Sequence, residues 1–301
     1  MRMFRKLFSR FFPKKITSEE LQSLFDQIED KRQLSKEEIK ELLLLSIEKQ
    51  LVLSPIEYSQ NVFSKIGGNA YLPEGFAWPT YCDDIELDFV MQIDLEEIAK
   101  YDIGKKLPSK GVLSFFYDSY NKPRGYYNDD VMGLQVHYFA DKSELKKQEG
   151  PTLFPNEYSL ECKNRSMVLA PEDFADIFGA FRIESTELEQ AYEELSLVPN
   201  SQDECSLCYP CDFSMFGIIS AIQECWPSNL SYVLRNRTKA EDSVNTDADF
   251  LFKNWVPLLQ IPSNDELRSL FPGEGYINVY IKREDLKNLN FENIAFATDT
   301  Y

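Results

Sequence analysis

The chain has 301 residues, 43% hydrophobic and 14% aromatic, enough to bury a core as one large domain or two fused halves rather than stay disordered. Its net charge is −18. Residues 1–15 hold six of the 32 basic residues and no acid, which leaves 26 against 50 acids, a net of −24. Such a surface repels nucleic acid and attracts cationic partners, and with no run of eighteen apolar residues there is no segment to span a bilayer as a helix.

In the first fifteen residues Phe4, Leu7, Phe8 and Phe11 fall at helical spacing with Arg2, Arg5, Lys6, Arg10, Lys14 and Lys15 around them. That pattern suits a peripheral amphipathic helix on an anionic membrane, and equally a basic arm or a staple packed on the acidic body. It has no continuous apolar region or small-residue cleavage site of the secretory kind. Six cysteines without such a signal point to reduced thiols in the cytoplasm.

Residues 16–53 read as a helical hairpin. Thr17 to Glu20 and Ser35 to Glu38 are capping boxes, the first before Leu21, Leu24, Phe25 and Ile28, the second before Ile39, Leu42, Leu43 and Ile47. Ser54-Pro55 is expected to end the second helix. From 54 to 301 the signals are those of an α+β domain: aromatic and β-branched runs broken by Gly67-Gly68, Pro73, Pro79, Gly111 and Gly125, with helices predicted from Pro171, over Thr186–Leu195 and from Arg283. Residues 199–212 and 236–248 read as long loops.

One pattern occurs twice within that domain. Phe89-Val90-Met91-Gln92-Ile93 precedes a strand opening on Gly111, and Pro257-Leu258-Leu259-Gln260-Ile261 precedes one opening on Gly275. The expectation is an internal duplication with mostly antiparallel sheets and flanking helices, in which Gln92 and Gln260 occupy matching places and either cross-link the halves or face a shared cleft.

Ser64-Lys65-Ile66-Gly67-Gly68-Asn69-Ala70-Tyr71-Leu72-Pro73, Trp78-Pro79, Phe89 to Leu95, Leu258 to Leu267, Gly275 to Ile281 and Arg283-Glu-Asp-Leu together resemble the YwqG-like family of uncharacterised bacterial proteins, over roughly residues 50–301. The resemblance implies a compact, pseudo-symmetric α+β fold and no established reaction. Some relatives sit in toxin–immunity loci, which suggests a protective binding protein. Where that family has a Gly-Tyr-Pro-Asp-like loop before Ile-Gln, this chain has Gly217-Ile-Ile-Ser-Ala-Ile-Gln223, so a pocket lined by that loop would be altered here.

The candidates for chemistry are few. His137, the only histidine, is expected on the strand face opposite Leu134, Val136 and Tyr138, either as a proton relay or as a half-exposed strand residue. Cys205, Cys208 and Cys211 with Cys225 have metal-like spacing but not the paired knuckles of structural zinc, and the loop is expected to be metal-free, with Cys82 and Cys162 buried. Gly67-Gly68 reads as a sharp turn or close backbone approach rather than a phosphate cradle, since no helix follows. Asp83-Asp84 and Asp129-Asp130 carry little information among fifty acids. Gly67, Gly68, Trp78, Gln92, Gln223 and Gln260 are thus structural or binding candidates, with no catalytic residue, metal or cofactor expected. The functional expectation is a binding protein of the immunity type for a cationic toxin. The alternative is a small-molecule-binding or hydrolytic protein using a cleft between the repeats.

Overall fold

The computed structural model describes residues 33–45, 47–82, 85–101, 106–167, 182–195, 213–217, 226–237, 246, 251, 254–262 and 275–300. In chain order the elements are α1 (Lys36–Leu45), β1 (Glu48–Glu57), β2 (Lys65–Ile66), β3 (Ala70–Pro73), β4 (Thr80–Tyr81), β5 (Ile85–Glu86), β6 (Asp88–Asp94) and α2 (Leu95–Ile98). There follow β7 (Val112–Tyr117), β8 (Leu134–Phe139), β9 (Leu145–Gln148), β10 (Tyr158–Met167), α3 (Ser185–Glu194), β11 (Phe213–Met215), α4 (Trp226–Arg237), β12 (Trp255–Pro262), β13 (Gly275–Lys282), α5 (Arg283–Lys287) and β14 (Ile294–Thr300). The chain divides into two compact units, 1–48 with 167–208, and 49–166 with 209–301.

In the first unit one half of the second capping box is in place, with Glu38 reaching back to Ser35. Both the Ser35 backbone N–H and its hydroxyl donate to Glu38, each at 3.0 Å. Ile39, Leu42 and Leu43 are buried along one stripe of α1. The first helix of the expected hairpin lies outside the described residues. What α1 packs against is α3, through Leu188, Ala191 and Tyr192. Glu194 receives Lys36 at 2.5 Å and Lys40 at 2.7 Å, and these hydrogen bonds hold its carboxyl down at about 2.

The expectation of a helical hairpin over 16–53 fails at its C-terminal end. The helix stops at Leu45, and residues 48–57 form β1, with Pro55 inside the strand. Leu51, Val52 and Leu53 supply the reason, since β1 uses them to pair with β11. Pro55 falls beyond those pairings, where a missing N–H costs no bond to β11.

The second unit is dominated by a ten-stranded antiparallel sheet, nearly closed into a barrel, in the order β14-β13-β12-β11-β1-β10-β2-β6-β7-β8. One face carries Met91, Ile93, Leu113, Phe115, Val136, Leu259, Ile261, Ile277, Val279 and Phe296, all in one continuous apolar core. The two end strands approach each other, and the segment before β8 covers the free edge of β14. Thr298 N donates to Arg124 O, and the Tyr126 hydroxyl donates to Thr298 O. These bonds occupy part of the ladder that β14 would otherwise offer to another chain.

The opposite face is also covered. The β3–β9 ribbon and Trp78 pack over Phe89 and Phe116 in the first half, while α4 places Leu230 and Val233 against Tyr280, Ala295 and Ala297 in the second. Strand registers run in parallel in the two halves. Gln92 stands opposite Lys65 and Ser114, and Gln260 opposite Ser214 and Asn278. The bulges also coincide, between Phe89 and Met91 and between Pro257 and Leu259.

Candidate functional site

A row of polar side chains crosses the outer face of the first half. Register places Ser159, Lys65, Gln92, Ser114 and His137 side by side on β10, β2, β6, β7 and β8. The first four are buried. A buried cation is costly unless partnered, and Lys65 has partners: its ammonium donates to Asn69 O and Glu157, and lies 4.7 Å from the Tyr71 ring centroid. Burial still outweighs the carboxylate, so the Lys65 pKa is pushed below 10.5.

Gly67 and Gly68 make this arrangement possible. Their φ values are +70° and +64°, and Gly67 N donates to Val90 O at the β6 bulge while Gly68 N donates to Phe154 O. A Cβ at Gly67 would stand 2.2 Å from the Asn156 carbonyl oxygen. The pair is therefore a close crossing of two backbones, the role read for it in the sequence.

Both ends of the Gln92 amide are engaged. Its Oε1 accepts from Tyr71 N at 3.1 Å and its Nε2 donates to Phe63 O at 3.5 Å, tying β6 to the segments on either side of β2. Gln260 donates through Nε2 to Asn278 Oδ1 at 2.8 Å. Four strands separate the two glutamines in the sheet, so neither cross-links to the other. Trp78 donates Nε1–H to Leu87 O at 2.7 Å and meets Phe116 edge to face. Gln223 lies outside the described residues, as do the cysteines at 205, 208, 211 and 225, Asp83-Asp84 and residues 1–15.

His137 sits on the predicted face, half-buried among Phe76, Phe116 and Phe139. Gln135 spends its amide N–H groups on Thr80 O and Met132 O, so its Oε1 faces the imidazole at 3.3 Å and Nε2 of His137 is the donor. Burial pushes the imidazole pKa below 6.5. As pH falls below 6.5, the unfolded chain takes up the proton first, so stability declines until the folded pKa is reached. Urea midpoints measured at about pH 7 and about pH 5 should show a decline in the native chain, bounded at ~1.4 kcal/mol per pH unit for one proton, that His137→Phe reduces. Equal declines in the two proteins would assign the effect to other groups.

Asp94, Glu97 and Ser114 were not among the candidates read from the sequence. Asp94 is buried, accepts from Glu96 N at 2.9 Å to cap α2, and pairs with Lys142. Glu97 accepts from Phe63 N and Ser64 N, at 2.7 and 2.9 Å. Ser114 Oγ is buried with no hydrogen-bond partner among the described residues. Its neighbour His137 was the one signal that could have drawn the eye to it. Asp130 accepts from the backbone N–H groups of Tyr126 and Tyr127 and so shapes a loop. Cys82 is exposed, contrary to the expected burial, because it falls at a turn with φ +36° between β4 and β5. Cys162 is half-buried on β10, and burial raises its thiol to about 12, far from a reactive thiolate.

Among the described residues no group of three His, Cys, Asp or Glu side chains is disposed to hold a metal, and no helix is long and apolar enough to cross a membrane. One pocket, of about 440 Å³, opens where the 106–108 segment meets β12 and α5. No curated protein matches the chain. Residues 64–300, from the Ser64 hydroxyl that holds Asp94 N to the end of β14, match the family described as a domain of unknown function, DUF1963, and the chain belongs to that family.

Proposed function

We propose that this protein is a non-catalytic binding protein of the immunity type, whose acidic surface captures a cationic protein partner in the cytoplasm. The observation that carries the reading is a division of labour among charged groups. Lys65, Asp94 and His137, the side chains best placed for chemistry, are spent on internal bonds or enclosed by rings. Acids including Glu57, Glu74, Glu86, Glu96, Glu144, Glu149 and Glu161 instead face solvent, on a chain of net charge −18. The YwqG-like resemblance, with its relatives in toxin–immunity loci, supports the same reading. So do the parallel registers and coincident bulges of the two halves, which we attribute to internal duplication of a scaffold rather than to assembly of one catalytic centre.

Co-expression with the protein encoded beside it is the test. We expect rescue of growth and a complex whose affinity falls as salt rises, mainly through a slower on-rate. Raising salt from ~0.1 M to ~1 M shortens the screening length from about 10 to about 3 Å and removes steering before it disturbs packed contacts. Rescue that tracks turnover of a small molecule, with no complex on gel filtration, would reject the reading.

A further inference from the structure

Residues 118–133, the connection from β7 to β8, display Tyr120 at 87% exposure, Tyr127 at 61% and Met132 at 52%. Tyr120 is the most exposed large hydrophobic side chain among the described residues. Arg124 of the same loop is also exposed. From α4, Tyr232 meets Tyr126 edge to face at 5.1 Å and is itself 52% exposed, so the aromatic surface extends onto that helix. One exposed apolar side chain carries no message, whereas several on a single loop mark a contact surface.

Hydrogen bonds fix the backbone that carries these side chains. The Asp118 carboxylate accepts from Tyr120 N at 3.0 Å, from Asn121 N at 2.9 Å and from Asn121 Nδ2 at 2.7 Å, and Asp118 N donates to Gly133 O. The buried Tyr117 hydroxyl donates to Pro123 O at 3.1 Å, and Asp130 accepts from Tyr126 N and Tyr127 N. Arg237 Nε donates to Gly125 O at 2.8 Å, and a Cβ at Gly125 would stand 2.0 Å from Phe296 O. A loop pressed and bonded in this way has little ordering entropy left to lose when it binds.

Tyr, Met and Arg are the types enriched in the buried middle of protein interfaces, where charge is depleted. The loop's own charges nearly cancel, Asp118, Asp129 and Asp130 against Lys122 and Arg124, while residues 16–301 carry a net of −24. A near-neutral aromatic centre on an acidic body fits a basic protein. The body attracts its lysines and arginines from a distance, and the tyrosine ring faces receive them at contact.

We infer that the 118–133 loop, extended by Tyr232, is the contact centre for a cationic protein, with Tyr120 and Tyr127 as its anchors, an assignment that rests on the binding function proposed for this chain. Surface plasmon resonance of the full chain against the protein encoded beside it is the test. Tyr120→Ala/Tyr127→Ala should weaken the complex about thirtyfold or more through a faster off-rate, with the salt dependence of the on-rate and the melting temperature retained. Tyr120→Phe/Tyr127→Phe should stay within about threefold of native affinity, because the ring faces remain. If the double alanine variant is unstable, Tyr120→Ala alone should still cost about fivefold. Tyr58→Ala, at a tyrosine 41% exposed just beyond β1, should bind as the native chain does.

Native affinity in the alanine variants, or an equal loss in Tyr58→Ala, would overturn this assignment and leave the binding function standing. No complex with the native chain would overturn both. A dimer on gel filtration that Tyr120→Ala/Tyr127→Ala abolishes would give the loop to a second copy of this chain and overturn the partner named here.

Discussion

Gly67→Ala should destabilise the protein by about 2–5 kcal/mol, and Gly75→Ala by about 1 kcal/mol or less, although the two glycines have nearly the same backbone conformation. Both have positive φ, +70° and +77°, so each alanine takes on the same left-handed strain of about 1–2 kcal/mol, offset by about 0.4–1 kcal/mol from the stiffer unfolded chain. They differ in surroundings. A Cβ at Gly75 meets nothing within 4 Å, while one at Gly67 meets Asn156 O at 2.2 Å and Phe154 O at 2.6 Å. Those are backbone atoms, which cannot rotate away, so overpacking adds about 1–3 kcal/mol. Displacing them would also disturb the bond from Gly68 N to Phe154 O and the partner residue Glu157 on Lys65. Equilibrium urea denaturation of the two variants isolates the contact term. Equal losses would mean that conformation alone, and not the crossing of backbones at Gly67, explains this glycine.

Lys142→Met should cost about 2–4 kcal/mol, and the double variant Asp94→Asn/Lys142→Met should recover a large part of that loss. Asp94 is 1% exposed and Lys142 38%, so the pair joins a buried carboxylate to a partly solvated ammonium. Removing one partner of a fully buried pair costs about 3–5 kcal/mol because the other charge is stranded; solvent around Lys142 lowers the expectation here. The bond from Glu96 N leaves Asp94 one remaining partner.

The hydrogen bond to Asp94 raises the Lys142 pKa above 10.5. Its contribution is therefore fully present below pH 10.5 and lost as pH rises through the higher folded value. Lys142→Met should accordingly show a weaker loss of stability above that pH than the native chain, and its deficit should be largest at neutral pH. A double variant no more stable than Lys142→Met alone would show that the stranded carboxylate is not what makes the single change costly.

Much of what proved local was legible in the residues. Ser35 and Glu38 announced a helix start, the alternation around His137 assigned its face, and Gly67-Gly68 required positive φ followed by an extended segment. Arg283 to Leu286 opened a helix before the last strand. These signals depend on torsional preference and on periods of 3.6 or 2, which neighbours in sequence determine by themselves. The offset from Gln92 to Gln260 could likewise be read directly, and the strands at those positions do carry matching registers.

The tertiary structure decided matters that local pattern leaves open. Leu51, Val52 and Leu53 are compatible with a helix until β11 offers them a ladder, and that strand comes about 160 residues later. Lys65 and Glu157 are 92 positions apart, and Asp94 and Lys142 are 48 apart. Each pair meets only because the strand order β10-β2-β6-β7-β8 folds their loops to one face. Lys106 and Arg283 likewise line one pocket although they lie far apart in the sequence. Helix and turn preferences are written in consecutive residues, whereas burial, ion pairing and cavities depend on which distant strands become neighbours, and that is determined by packing the whole apolar face at once.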